Sequence, residues 1–282
     1  SPIATRPQLP RTKTTRQRAN NEAIALLDDI QAKGWTRDDL TEEQLDILAK
    51  FTGGGGGLTN KDGTRGSDYE YYTPKELASG AWDIAKALGF NGGRVLDPSA
   101  GTGIFTAVSP ENALMDSIEL DATSGGIAQI LNDGQRSKTK VSPFEAIAKE
   151  LPNGDDHTGY DLVITNVPFG DNGARGAYKM IDKAYQKESL DYYFIMRSLE
   201  KLKSGGLAVF ITTPATIHGK SKAQHELRQR TSRIAQFLGA YRLPNSVFED
   251  TGADVSVDVI AFKKYDEQYL QNRLEDISQA VY

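Results

Sequence analysis

The stretch Asp161–Gly170, DLVITNVPFG, decides how the chain is read. Leu162, Val163 and Ile164 follow one another without a polar alternate, the pattern of a strand buried on both faces in a parallel sheet. The run passes directly into Asn166-Val167-Pro168-Phe169, so the strand ends in a stiff turn in which Pro168 fixes a φ angle. Asn166 brings a side-chain amide oxygen next to a main-chain carbonyl. Two such acceptors hold both N–H bonds of an amine and favour a pyramidal nitrogen whose lone pair points outward. A planar ring carrying that amine stacks on Phe169, a contact worth roughly 1–3 kcal/mol in nucleic-acid sites.

Upstream, Arg94-Val95-Leu96-Asp97 is a second short apolar strand, and Pro98-Ser99-Ala100-Gly101-Thr102-Gly103 is a tight loop behind it. Glycines admit positive φ and let the backbone approach a ligand closely. Ligands of doubly wound sheets sit at the carboxyl ends of the strands, and an acid about 20 residues past the glycine turn holds a ribose diol. Glu119 has that position, at the end of the expected strand Leu114–Glu119. Asp97, Pro98, Ala100, Gly101, Thr102, Gly103 and Glu119 are therefore candidate cofactor contacts. A nicotinamide or flavin enzyme fits less well, because Thr106 stands where the third glycine belongs. Asp97 would also repel a pyrophosphate, whereas beside a sulfonium and an ammonium it is favourable. Taken together, the two strand ends read as methyl transfer to an amine.

With both motifs in view, the chain resembles the DNA adenine-amine methyltransferases of the class I S-adenosylmethionine (SAM) fold, whose signature is Asn/Asp-Pro-Pro-Tyr/Phe. Val167 takes the place of the first proline. The resemblance implies a Rossmann-like α/β fold with a seven-stranded, mostly parallel sheet and an antiparallel last strand, behind a helical N-terminal extension. It implies SAM as cofactor, DNA as partner, and Asn166, Val167, Pro168 and Phe169 as the catalytic loop. It also implies that Tyr72 and Thr73 border the methionine end of SAM and that Phe144, in Val141-Ser142-Pro143-Phe144-Glu145, packs against its adenine. The family often carries an acid on that last loop, whose identity here stays open. Read by themselves, Thr73, Pro74 and Glu76 are the N-cap, first position and capping-box acid of a helix Lys75–Leu88.

The whole chain is similar to the methylase module at the N-terminal end of large helicase–methylase proteins of phages and mobile elements. The likeness runs from Asn20–Ile24 through Thr41–Gln44, Phe51–Leu58, Tyr71–Thr73, Asn166–Asp171 and Leu190–Phe194 to Leu238–Asn245. Members usually carry a Trp within the glycine run, where this chain has only Gly. The complete phosphate-loop pattern of a helicase motor is absent, so the resemblance makes a helicase or a larger polypeptide a partner. It implies protection of phage or plasmid DNA from restriction.

The divisions expected are a basic arm and helical extension (1–58), a glycine/polar linker (59–70), the methyltransferase domain (71–264) and a C-terminal tail (265–282). Helices are expected over Thr15–Lys33, Glu42–Phe51 behind a Thr41/Gln44 capping box, Leu190–Leu202 and Ser221–Arg233. The Gly53–Gly57 run reads as a flexible joint. Later strands are expected at Gly206–Thr212, within Ile234–Leu243, and at Val255–Lys263, whose two-residue alternation suits an edge. The tail is too short for a target-reading domain, so low sequence specificity is expected, with single-stranded or locally opened DNA methylated at least as fast as duplex because unstacking a base costs less there. The Asp171–Lys187 loop either contacts nucleotides flanking a flipped base or closes as a lid.

At 282 residues and 38% hydrophobic, the chain can bury a full α/β core. Having no Cys, it has no disulfide, no zinc ribbon and no thiol route to cytosine carbon. His157, His218 and His225 lack ligand spacing, so no metal is expected. No apolar run approaches the roughly 20 residues of a membrane span, and a cytoplasmic protein of a bacterial or phage-infected cell is expected. The first residue is Ser, which suits a piece of a longer protein. Net charge is −5, yet Arg6, Arg11, Lys13, Arg16 and Arg18 open the chain with no acid among them. That arm either lies along phosphates or is a solvated tail, and Lys220–Arg233 poses the same choice. The alternative functions are methylation of a protein glutamine amide or an RNA guanine amine, and a silent DNA-binding module of the same fold.

Overall fold

The computed structural model describes residues 2–66, 72–152, 154, 158–168, 181–185, 188–244, 246 and 256–281. Phe169, Tyr71, His157 and most of the Asp171–Lys187 loop lie outside the described residues.

A single seven-stranded sheet organises the chain, in the order β3-β2-β1-β4-β5-β7-β6. The strands are β1 (Gly93–Asp97), β2 (Ala113–Glu119), β3 (Ser137–Val141), β4 (Tyr160–Asn166), β5 (Leu202–Thr212), β6 (Ala235–Leu243) and β7 (Val257–Lys264). β1 to β5 are mutually parallel, and β7 runs antiparallel to both β5 and β6. The strand order reverses between β1 and β4, the switch point at which ligands of such sheets bind. Asp97 ends one of these strands and Asn166 the other.

Helices α1 (Lys13–Lys33) and α2 (Glu42–Ala49) precede the sheet, and α3 (Lys75–Ala87) leads into β1. One-turn helices α4 (Ile104–Ala107) and α6 (Phe144–Ile147) follow the glycine loop and β3, with α5 (Ala122–Asn132) between them and α7 (Leu190–Glu200) before β5.

Both faces of the sheet are covered, which is why its central strands read as unbroken apolar runs. On one face Val95, Met115, Leu162, Ile164, Val209 and Ile211 pack against Leu77, Ala81 and Trp82 of α3. On the other, Leu96, Ile118, Val163, Ala208 and Phe210 meet an aromatic layer from α7. A third core joins α1 and α2 to Ile127 and Leu131 of α5. α2 opens on the expected Thr41/Gln44 capping box.

Three expectations are corrected. β7 is not an edge strand: it lies between β5 and β6, and Val257 through Phe262 are all buried. The alternation came from Asp258, whose carboxylate is buried but held by both Arg242 Nε and Nη2 across the ladder, at 2.8 and 3.2 Å. β6 takes the edge instead, with Phe237 and Tyr241 exposed. The glycine run is a packed turn rather than a loose joint. Asn20 Nδ2 donates to Gly53 O (2.7 Å), Arg16 Nη2 donates to Gly55 O (3.1 Å), and a Cβ at Gly54 would lie 2.0 Å from Asn60 Oδ1. Finally, Pro74 is itself the N-cap residue of α3, at φ −58 and ψ 146, so Thr73 lies outside the helix and no side chain caps it.

Candidate active site

Asp97 is fully buried at the end of β1. Its Oδ1 accepts from the Thr165 hydroxyl on β4 (2.7 Å) and from the Ser99 N–H (3.2 Å). Oδ2 is buried with no hydrogen-bond partner. Burial pushes the carboxyl up to about 7, against the pull of the Thr165 and Ser99 hydrogen bonds, and neighbouring Glu119 adds to the rise. A buried acid with one satisfied and one unsatisfied oxygen is suited to a donor or cation carried by a ligand. The methionine ammonium of SAM meets that need.

The loop behind Asp97 is shaped by its glycines. Gly101 has φ +56 and Gly103 φ +82, and a Cβ at Gly103 would lie 2.0 Å from Asn132 Nδ2. Glu119 spans the loop's mouth: Oε2 accepts from Gly101 N–H (2.6 Å) and Oε1 from Asp121 N–H (2.9 Å). Glu119 stands 22 residues past Asp97, where an acid beyond the glycine turn is placed to hold a ribose. Ala100 N–H donates to Ile118 O (2.9 Å), and Pro98 is buried beside it. The donor set thus fits SAM, with Asp97 for the amino-acid end and Glu119 for the sugar.

Asn166 is half-buried at the end of β4, in register with Ile211. Its Nδ2 donates to Thr73 Oγ1 at 3.1 Å. Val167, where the resembling family has proline, uses the N–H that proline lacks to donate to Ile211 O at 2.8 Å. One ladder bond therefore does the stiffening that a ring would otherwise supply. Pro168 follows, half-buried. Phe144 is buried, with its ring 5.1 Å from Phe194 and 5.8 Å from Tyr193, so most of its surface is given to the core. The next residue, Glu145, is a buried acid whose Oε2 has no hydrogen-bond partner. It is the one acid within Val141–Glu145 and lies in the first turn of α6.

The basic residues are engaged differently from what the sequence suggests. Arg6 Nη2 donates to Thr102 O (2.6 Å) and to Asn132 Oδ1 (3.1 Å), bracing the glycine loop from the N-terminal arm. Burial, and then the neighbouring Arg37, push its guanidinium down to about 9. Arg16 lies 5.0 Å from the Tyr72 ring centroid and donates to Thr52 Oγ1. Arg228 is committed to Gly219 O, and Arg230 stacks over Tyr185 and Tyr192. Lys13 and Arg18 differ: both are exposed and line one cleft with Gln17, Asn21 and Leu58. Nothing in an arginine's sequence position announces whether its charge faces a loop or solvent.

Among the described residues no group of acids and histidines is arranged to hold a metal ion, and no helix is long and apolar enough to cross a membrane.

The doubly wound sheet, with a half-satisfied acid, an acid on the glycine loop and an asparagine turn at its switch point, has the class I methyltransferase fold. A family model described as Eco57I restriction-modification methylase matches residues 107–246. The chain is similar to "Defense against restriction protein B" of Escherichia phage P1, with 40% identity over 251 residues. That match takes in 89% of this chain and 10% of the phage protein, so the chain spans about a tenth of that relative's length. It is also similar to a tRNA1(Val) (adenine(37)-N6)-methyltransferase of Dyadobacter fermentans, with 27% identity over 127 residues, 44% of this chain and 50% of that one. A class I SAM-dependent methyltransferase structure from Listeria monocytogenes has the same fold. Its TM-score is 0.59 at 16% identity, over 90% of this chain and 81% of that one.

Proposed function

We propose that the chain transfers a methyl group from SAM to the exocyclic N6 amine of adenine in DNA. The observation that carries this reading is the Asn166 amide at the switch point. It is tied through Nδ2 to Thr73, while Oδ1 makes no hydrogen bond among the described residues. That oxygen and the Val167 carbonyl are the acceptors for the two N–H bonds of the amine, and holding both readies the nitrogen lone pair for attack. Asp97 and Glu119 hold the cofactor's amino acid and ribose, and Phe169 stacks the extruded base. SAM, when bound, supplies an electrophilic methyl group on a sulfonium.

DNA is favoured as substrate by the restriction-modification family matched and by the phage relative's name. Adenine N6 is favoured by the Asn-x-Pro-Phe turn and by the tRNA relative's name. Protection of phage or plasmid DNA against restriction is the purpose we propose. The test is methyl transfer from labelled SAM to single-stranded DNA, duplex DNA of varied sequence, tRNA and protein, followed by digestion to nucleosides. N6-methyladenosine of the deoxy series is the expected product, with little dependence on sequence context. Label confined to RNA or protein overturns the reading.

A further inference from the structure

We propose that Thr73 is a positioning residue for the methyl acceptor, acting through Asn166. The proposal rests on the amine-methyltransferase reading above. An asparagine amide has one edge that accepts and one that donates, and only the oxygen edge can receive an amine N–H. Its terminal torsion is broad and roughly two-fold, so an unheld amide presents the wrong edge much of the time. In this fold the Nδ2 edge is occupied by the Thr73 hydroxyl at 3.1 Å, contributed from 93 residues away in the chain. The oxygen edge is thereby left for the substrate.

Both partners in that bond are anchored. Asn166 pairs with Ile211 in the sheet, and the next N–H, from Val167, extends the same ladder. On the other side, Thr73 is free of helix capping because α3 begins beyond Pro74. Its neighbour Tyr72 lies against the Arg16 guanidinium, which is itself held by Thr52 Oγ1 and Gly55 O. Threonine also suits the role better than serine, since its branched Cβ restricts χ1.

The test compares Thr73→Val, which keeps the shape and loses the hydroxyl, with Thr73→Ser, which keeps the hydroxyl. Thr73→Val should lower kcat about tenfold, less than the roughly 100-fold expected when a preorganised contact to the reacting group is itself removed. Thr73→Ser should recover most of the rate. In an Asn166→Ala background, Thr73→Val should cause no further loss, because the two residues act as one unit. A fall in SAM affinity with kcat intact would make Thr73 a cofactor contact and overturn the proposal, as would additive losses in the double variant. A readout independent of substrate is the exchange of the Asn166 side-chain amide protons, observed with nitrogen-15 labelling. One proton should be protected in the parent and released in Thr73→Val; equal exchange in the two proteins overturns the proposal. Should the chain methylate RNA or protein instead of DNA, the adenine-DNA reading fails and the same rate ratios are measured on the substrate it uses. Should it methylate nothing, the amine reading fails and the proposal for Thr73 falls with it.

Discussion

Replacing Asp97 with Asn keeps the side chain's shape and removes its charge, and the structure sets the size of the effect. The carboxyl is fully buried, and burial raises it from 3.8 to about 7. At about 1.4 kcal/mol per pH unit, ionising it in the folded chain costs on the order of 4 kcal/mol more than in the unfolded chain. Between those two values the native chain holds a proton that the unfolded chain has released. Stability therefore falls as pH rises through that window and levels off above about 7. The amide of the Asp97→Asn variant has no such dependence, and its oxygen can still accept from Thr165 and Ser99. The cofactor-free variant should match the parent near pH 4 and exceed it at pH 8 by a few kcal/mol, ~4 at most. SAM binding should show the opposite order. The ammonium restores the carboxylate, so in the parent SAM affinity climbs by up to about tenfold per pH unit below about 7, with proton release. In Asp97→Asn it should be weak and flat. Urea unfolding across pH, with titration calorimetry in buffers of different ionisation enthalpy, measures both effects. Parallel stability profiles in the two proteins, or SAM binding by the parent with no proton release, would refute the assignment.

Asn166→Ala should leave SAM affinity intact and cut single-turnover methylation by at least about 100-fold; a rate that barely moves places the chemistry elsewhere. Val167→Pro, which restores the resembling family's signature, should destabilise this chain by about 1–3 kcal/mol in urea unfolding. It removes the N–H bonded to Ile211 O and leaves that buried carbonyl unpaired; unchanged stability would mean the ladder bond does not stiffen the turn. Lys13→Glu with Arg18→Glu should weaken DNA binding and flatten its salt dependence, each lost phosphate contact lowering the slope by about 0.7–0.9. Arg6→Ala should instead weaken SAM binding and leave the DNA salt slope alone, and identical slopes for the parent and the Lys13/Arg18 variant would return the arm to a solvated tail.

The strands that build the site were legible because burial on both faces leaves a plain mark: Val95-Leu96 and Leu162-Val163-Ile164 have no polar alternate, and each run stops at a polar turn. Asp258 produced the opposite error. A carboxylate inside an apolar run signals a solvent face, and only the ladder pairing reveals Arg242 neutralising it. The glycine run carried the same ambiguity, since a string of glycines is as compatible with close packing as with freedom. What decides is Asn60 and Gly66 lying where the Gly54 side chain would be. The partner of Thr73 was not legible, because a threonine before proline reads as a helix cap and its bond to Asn166 joins distant segments.

The N-terminal extension gains its meaning from the same kind of distant contact. Arg6 and Arg37 both reach oxygens at the C-terminal end of α5, where a helix's partial negative charge lies. Arg37 Nη1 donates to Leu131 O at 3.0 Å, and Ala4 N–H donates to the same oxygen at 2.8 Å. Arg6 holds the Asn132 side-chain oxygen and continues to Thr102 O on the glycine loop. α1 and α2 bury Ile127 and Leu131 from the outer side of that helix. The composition change over residues 59–70 therefore divides the sequence without dividing the packing. Residues ahead of it hold the glycine loop through Arg6, and through Arg16 and Tyr72 they brace the segment that carries Thr73. Removing them would expose part of the α5 core and release the contacts that brace the glycine loop and Tyr72.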